Sequence, residues 1–491
     1  MFIGIDLGTS GVKLILVTKE GKVIKTETES YKLIIPKPTW TEQDPNIWYE
    51  KTIKGLKKLI RGYESKIEGI SFSGQMHGLV ILDESDKVLR NAILWNDQRT
   101  IEEVNYLNNK IGIDILLKET GNIALTGLTA PKLLWVKNNE PKIFNKIAKI
   151  MLPKDFISYK LTGVFASDVS DISGTLYFDV ENRKYSQKML EILHINQLQL
   201  PQIFESYEVI GNLKSELKNL LHITQDVKVI IGGGDQAVGA IGTGITNNGD
   251  CSISLGTSGV VFVASDSFKI DDKSHLQSYA HCNGKYHLMG VMLNAGGALQ
   301  WWTKSIFGNY NYDVFFKQLQ ETNPNDDLYF LPYLTGERSP INNPYARGVF
   351  IGLRLEHKKA NMDRAVIEGI SFALRDTFEL IKSLGVNITK IRITGGGAKS
   401  DIWIQILSNI MNVEIETIKI EEGPALGAAI LAMVGSKTYK SVEEACSKVV
   451  VIDKLYKPIL DLVKLYDRKY KYFDNIYPII KPLFNKTRLD I

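Results

Sequence analysis

The sequence predicts an α/β fold made of two similar halves, on two observations: a repeated glycine-rich loop and an alternation of strand-like and helical runs. Leu7-Gly8-Thr9-Ser10-Gly11-Val12 returns as Leu255-Gly256-Thr257-Ser258-Gly259-Val260, about half of the 491-residue chain away. Each copy follows an apolar β-type run, Phe2–Ile5 or Cys251–Ser254, and precedes another, Lys13–Val17 or Val261–Ala264. Both therefore read as strand, tight turn, strand. The chain is longer than one hydrophobic core can organise, and the repeat places the predicted boundary between residues 1–246 and 247–491.

The other elements follow in order. Asp44-Pro45 caps and starts a helix whose apolar residues Ile47, Trp48, Ile53, Leu56 and Ile60 recur at helical spacing. Ile67–Phe72 reads as a strand, as does Val227–Ile231. In the second half, Met362–Ile381 has a helical period, Ile391–Thr394 is a strand, and Gly395-Gly396-Gly397 breaks it before a helix from Asp401. From about residue 458 a terminal helical segment carries Ile459, Val463, Tyr466, Tyr470 and Phe473 at three- and four-residue spacing. Its interleaved bases also suit RNA, but no recognisable RNA-binding module accompanies them.

Composition narrows the function classes. Hydrophobic residues at 44% and charged residues at 23% are ordinary globular values, and a net charge of +4 points to neither nucleic acid nor an anionic membrane. Three cysteines without a CxxC pair build no disulfide framework or thiolate zinc site, and they fit a reducing cytoplasm. No signal peptide is expected, because the N-terminus lacks a basic region and Asp6 interrupts its apolar run. The apolar run Ala425–Val434 falls well short of the ~20 residues needed to span a bilayer.

Several constellations can carry chemistry. Gly8-Thr9-Ser10 and Gly256-Thr257-Ser258 offer backbone amides and hydroxyls without bulk, which suits phosphate oxygens, although either alone also reads as a plain hairpin turn. Asp6, ending the first strand, is placed to hold Mg²⁺ directly or through its waters. Gly232-Gly233-Gly234 lets a ligand approach the backbone before Asp235, a candidate general base or else a turn residue, and before Gln236. Ser73-Gly74-Gln75-Met76-His77-Gly78 suits recognition of a small hydroxylated ligand. Trp95, Asn96, Asp97 and Arg99 combine an aromatic face with polar groups, as a sugar site does. No P-loop, dinucleotide fingerprint, protein-kinase signature or paired-histidine metal motif is present.

Asp6 with its loop, the second loop at Gly256 and Gly395-Gly396-Gly397-Ala398 resemble the sugar kinase, actin and heat-shock chaperone ATPase superfold. Gly127–Trp135, and Gly348–Leu353 through Ala365–Glu368, are similar to the two signatures of FGGY carbohydrate kinases. That resemblance implies two duplicated ribonuclease-H-like, actin-like domains around a central cleft. Gly74–Gly78, Leu94–Asp97, Leu152–Asp155 and Ala166–Asp171 further resemble the members that act on D-xylulose. The implied activity is ATP-dependent phosphorylation of D-xylulose to its 5-phosphate, with Asp235 as base, Asp6 organising Mg²⁺, and Gln75, Met76, His77, Trp95, Asn96, Asp97 and Gln236 around the sugar. ATP is implied at Gly8, Thr9, Ser10, Lys13, Gly256, Thr257, Ser258, Gly296, Gln300, Gly396, Gly397 and Asp401. Gln236, the residue of glycerol kinases, and Asp401, where related kinases carry Asn, depart from the pattern. Another ketose or polyol (ribulose, fructose, glycerol) and a chaperone-like ATPase therefore stand as alternatives. The resemblance also allows a homodimer.

Overall fold

A computed structural model describes residues 1–273, 275–308, 311–420 and 422–484. Asn485 and Lys486, at the end of the basic C-terminal stretch, lie outside the described residues. The first sheet contains β1 (Phe2–Leu7), β2 (Gly11–Val17), β3 (Val23–Ser30), β4 (Gly69–Gly74), β5 (Val209–Asn212) and β6 (Lys228–Ile230), in the order β5–β6–β4–β1–β2–β3. A short β7 (Gly233–Gly234) pairs with the end of β4. The second sheet contains β8 (Asp250–Leu255), β9 (Gly259–Ser265), β10 (Gln277–Ala280), β11 (Tyr286–Met292), β12 (Lys390–Thr394), β13 (Glu414–Ile418) and β14 (Ile452–Tyr456), in the order β10–β11–β9–β8–β12–β13–β14.

The two sheets repeat one plan. The first strand pairs antiparallel with the second and parallel with the fourth in the first half, and β8 treats β9 and β12 in the same way. The predicted duplication is therefore present in topology. The identical loop sequences close differently, however: Leu7 pairs with Val12, whereas Leu255 pairs with Gly259. The first turn closes on itself through the Gly8 N–H and the Gly11 carbonyl at 3.0 Å. In the second, the Gly256 and Thr257 carbonyls accept from the amides of Ala295, Gly296 and Gly297. A neighbouring segment has changed the register of an identical hexapeptide.

Helix α1 (Pro45–Leu59) begins as predicted, with the Asp44 side chain accepting from the Asn46 amide at 2.9 Å, and it buries Trp48, Leu56 and Leu59 with Leu14 of β2. Helix α2 (Asp235–Gly242) leads from the first half, α3 (Lys359–Ser383) backs the second sheet, and α4 (Asp401–Met411) follows the Gly395–Gly397 break. Helix α5 (Gly423–Gly435) is apolar all round because it is buried all round. It belongs to the second half in sequence yet packs on the first sheet. A Cβ at Gly4 of β1 would stand 1.9 Å from the Ala425 carbonyl oxygen, one at Gly242 would stand 2.0 Å from that of Gly423, and one at Gly427 would stand 1.9 Å from that of Val238. The predicted terminal helix is α6 (Leu460–Ile480), with Phe473 stacked 5.3 Å from Phe372 of α3. Among the described residues, no helix is long and apolar enough to cross a membrane.

Since backbone cannot yield to a new methyl group as a side chain can, Gly4→Ala is expected to lower unfolding free energy by about 3 kcal/mol. A denaturant titration checks this, and a midpoint unchanged from the parent chain would contradict the close packing of α5.

Candidate active site

Asp6, Ser73–His77 and Asp235 stand at the carboxyl ends of β1, β4 and β7, parallel neighbours in the first sheet. This is where open α/β sheets hold ligands. Ser73 Oγ donates to Asp6 Oδ1 at 2.9 Å. Burial pushes the Asp6 carboxyl up to about 6, against the pull of Ser73 and of Lys13. Burial, then the charge of Asp6, pushes Asp235 up to about 7, and the Gln236 side-chain amide donates weakly to it at 3.4 Å. Two carboxylates therefore stand close enough to sense each other. That donor set suits Mg²⁺, which is usually held by one or two carboxylates plus the phosphates of a substrate. Among the described residues, no cluster of three His, Cys, Asp or Glu side chains forms a protein-only metal cage.

A cavity of about 420 Å³ runs from Asp235 and Gln236 between α2 and the second sheet to Gly395, Gly396, Lys399 and the start of α5. A second, of about 900 Å³, is lined by Gly256, Thr257, Gly296, Gln300, Gly397, Asp401 and Trp403. Gly396 and Lys399 line both cavities. The site therefore extends from a carboxylate, past a glycine-rich break and a lysine, to a pocket walled by Leu299, Phe316 and Trp403. A polyphosphate tail with an aromatic base at its far end matches that sequence of surfaces.

The sugar-side candidates divide. Met76 packs on the Asp235 turn, since a Cβ at Gly234 would lie 2.9 Å from its sulfur. His77 adopts a left-handed backbone, φ 68°, which side chains other than glycine rarely take. Helix 129–139 holds it there: Lys132 Nζ donates to the His77 carbonyl at 2.8 Å and Thr129 Oγ1 to the same oxygen at 3.1 Å, while His77 Nδ1 lies 2.9 Å from the Gly174 carbonyl. Burial lowers His77 to about 3, so its ring is neutral. Gln75 is committed elsewhere: its side chain accepts from Thr9 Oγ1 at 3.0 Å and donates to Gln43 at 3.2 Å. Trp95, 46% exposed, donates its indole N–H to Thr9 Oγ1 at 3.0 Å.

Asp97, expected at the sugar side, is held by its neighbours. Both its oxygens are bound, by Arg99 and by the Thr41 amide, and it is fully buried. Asn96 likewise accepts from Thr41 Oγ1 at 2.7 Å. Both brace the loop that presents Trp95. The Arg99 guanidinium, stacked 4.0 Å from Trp40, completes the brace.

The nucleotide-side candidates also divide. Amides of Thr9, Ser10, Thr257 and Ser258 have no acceptor among the described residues, so each loop retains donors for an anion. The Thr9 hydroxyl serves Gln75 and Trp95, and Ser258 Oγ donates to the Leu293 carbonyl at 3.3 Å, so neither is a free phosphate donor. Gly296 lines the larger cavity, and its N–H, bound to the Gly256 carbonyl at 2.8 Å, holds the second loop. Lys13 pairs with Glu422 at 2.5 Å at the start of α5, tying β2 to the second half. Asp401 lines the larger cavity but is clamped by Lys454 at 2.9 Å and Tyr456 at 2.6 Å. Sequence reasoning gave no role to Lys399, two residues past the glycine break, and did not single out Ser73 or Lys132 within the motifs that contain them.

The family models for the N-terminal and C-terminal domains of FGGY carbohydrate kinases match residues 1–242 and 251–436. The chain belongs to the FGGY family of carbohydrate kinases. It is 39% identical over 479 residues to a xylulose kinase of Staphylococcus xylosus, covering 97% of this chain and 99% of the relative. Two crystal structures from Lactobacillus acidophilus, a ligand-bound xylulose kinase and a gluconate kinase, each overlay with a TM-score of 0.94 at 31% identity, covering 99% of both chains. An FGGY fold this well shared does not by itself select the acceptor.

Lys132→Met keeps the length of the side chain but leaves the Gly127 carbonyl without its donor and His77 with Thr129 alone. A loss of about 1–3 kcal/mol is expected, read by thermal or denaturant unfolding. An unchanged midpoint would show that Lys132 does not hold the His77 turn.

Proposed function

We propose that this chain phosphorylates D-xylulose to D-xylulose 5-phosphate with ATP as donor. The observation that carries the reading is whole-length similarity to xylulose kinases, combined with Met76 packed against the Asp235 turn and His77 fixed beside it in sequence by the Gly174 carbonyl. The family match along both halves displaces the chaperone-like ATPase alternative.

In this reading Asp235 accepts the proton of the sugar hydroxyl as that oxygen bonds to the γ-phosphorus and the bond to ADP breaks. Its raised pKa suits a base that must take a proton near neutral pH and release it afterwards. Met76 and the fixed, neutral His77 orient the ketose, and Trp95 offers an apolar face. The free amides of the two loops and Lys399 hold the phosphates, while the larger cavity takes the adenosine. Asp6 holds Mg²⁺, which neutralises phosphate charge when bound. Closure of the two halves over the cleft excludes water, the competing acceptor.

Asp235→Ala is expected to reduce kcat by ~10²–10⁴. A kcat within threefold of the parent would remove Asp235 from the chemistry.

In the parent enzyme, kcat/KM for the sugar is expected to rise with pH through an apparent pKa near 7, because the base works only when ionised. A profile flat down to pH ~5 would mean that Asp235 does not titrate as a base.

A panel of D-xylulose, L-xylulose, D-ribulose, D-fructose, glycerol and D-gluconate tests the acceptor. The highest kcat/KM is expected for D-xylulose, and a better acceptor among the others would keep the kinase and replace the substrate.

A further inference from the structure

Behind the Asp235 turn lies a group of polar side chains that the chemistry does not touch. Lys154, Asp155, Asp168, Ser170 and Asp171 are all buried, at 1% exposure or less. Lys154 Nζ pairs with Asp155 at 2.6 Å and Asp168 at 2.8 Å, and it stands 3.8 Å from Asp171. Burial works against the Lys154 charge, but the three neighbouring carboxyls outweigh it and hold the ammonium protonated. Asp171 has no hydrogen bond to either side-chain oxygen among the described residues, and burial pushes it well above the usual carboxylate range.

Such a cluster needs an explanation other than stability. Buried ion pairs recover their desolvation cost only with good geometry, and apolar residues of similar volume often stabilise a core as well or better. The geometry supplies one, because the cluster leads to the base through hydrogen bonds. Asp168 Oδ2 accepts from Ser170 Oγ at 2.6 Å and from Ser206 Oγ at 2.7 Å. Ser170 Oγ in turn accepts the backbone N–H of Gly234 at 3.1 Å, one residue before Asp235. The packing leaves no slack at this point: a Cβ on Gly233 would sit 2.4 Å from Ser170 Oγ, and one on Gly232 would sit 1.9 Å from the Phe72 carbonyl oxygen. On its other side Lys154 lies against Gly74, the strand partner of Gly234 and the start of the Gln75–His77 loop. One buried lysine therefore supports both the base turn and the sugar-facing loop.

We propose that Lys154, Asp168 and Ser170 form a buried positioning relay that fixes the backbone at Gly233–Gly234 and so aims the Asp235 carboxylate. None of the three touches substrate; each acts through Asp235, and the inference rests on Asp235 being the base. Ser170 is the most direct link, because among the described residues its hydroxyl hydrogen-bonds both the ion cluster and the turn. Without that acceptor the Gly234 N–H loses its anchor and the carboxylate gains freedom to leave the attack geometry, a displacement that affects turnover more than ground-state binding.

The test is a double-mutant cycle on the full chain with Mg-ATP and D-xylulose. Ser170→Ala is expected to lower kcat roughly tenfold while KM for the sugar stays within about twofold. In the Asp235→Ala background the same substitution is expected to change kcat by less than about twofold, because its effect needs the carboxylate. The relay is overturned if Ser170→Ala leaves kcat within about twofold of the parent, if its loss falls in KM, or if the full loss recurs in the Asp235→Ala background. Asp168→Asn, which keeps an oxygen for the two serines but gives up the charge facing Lys154, is run through the same cycle and decides the matter if Ser170→Ala does not fold. If Asp235→Ala alone retains near-parental kcat, the fault lies with Asp235 as base. If Asp235→Ala is crippled and the cycle is additive, the fault lies with the relay.

Discussion

The backbone contact between α5, β1 and α2 is the constraint on which the rest of the structure depends. Three glycines, Gly4, Gly242 and Gly427, each have a carbonyl oxygen where a side chain would begin, so an element of the second half lies directly against strand and helix of the first. That contact decides where the cleft can open. Gly423 and Pro424 at the head of α5 line the same cavity as Asp235 and Gly239 of α2, so the helix that joins the halves also forms part of the wall of the site. The ion pair of Lys13 with Glu422 adds a charged tie at the same place. Further hydrogen bonds join the halves away from this contact, between Asn122 and the Ser278 backbone and from Arg183 to the Gly284 and Lys285 carbonyls.

Two solutions to one electrostatic problem lie on either side of this contact. Phosphoryl transfer brings negative charge to a pocket lined by Asp235, near Asp6, both carboxyls pushed up by burial. Free loop amides and Lys399 offset that charge from the nucleotide side. On the sugar side His77 is uncharged, and Lys132, whose pKa burial lowers, donates hydrogen bonds to the His77 and Gly127 carbonyls. The strained turn at His77 is thus held by the side chains of Lys132 and Thr129.

Much of this was legible in the sequence. The hexapeptide repeat predicted a duplication, and the matching strand orders of the two sheets are that duplication. The run of glycines before Asp235 predicted close approach, and Gly232, Gly233 and Gly234 each prove too tightly packed for a side chain. The terminal helix followed from the spacing of Val463, Tyr466, Tyr470 and Phe473. What could not be read was the partner of each polar group. Asp97 looks like a sugar ligand beside Trp95 until Arg99 and Thr41 fold over both its oxygens. Gly296 lines the larger cavity, and its amide also holds the second loop through the Gly256 carbonyl. The two identical loops differ in register because residues 295–297, far along the chain, bind only the second. Hydrogen-bond partners distant in sequence leave no local pattern, so the motifs containing Ser73 and Lys132 gave no sign of what those residues bind.

The most direct test is the identity of the phosphorylated product. Purified protein, D-xylulose and Mg-ATP are followed by phosphorus-31 NMR, with carbon-13 coupling assigning the esterified carbon. The expected result is a new phosphate monoester on C5 of the pentulose, appearing in step with ADP. ATP converted to ADP and free phosphate with no sugar ester would contradict phosphoryl transfer to a carbohydrate, and with it the role given to Asp235.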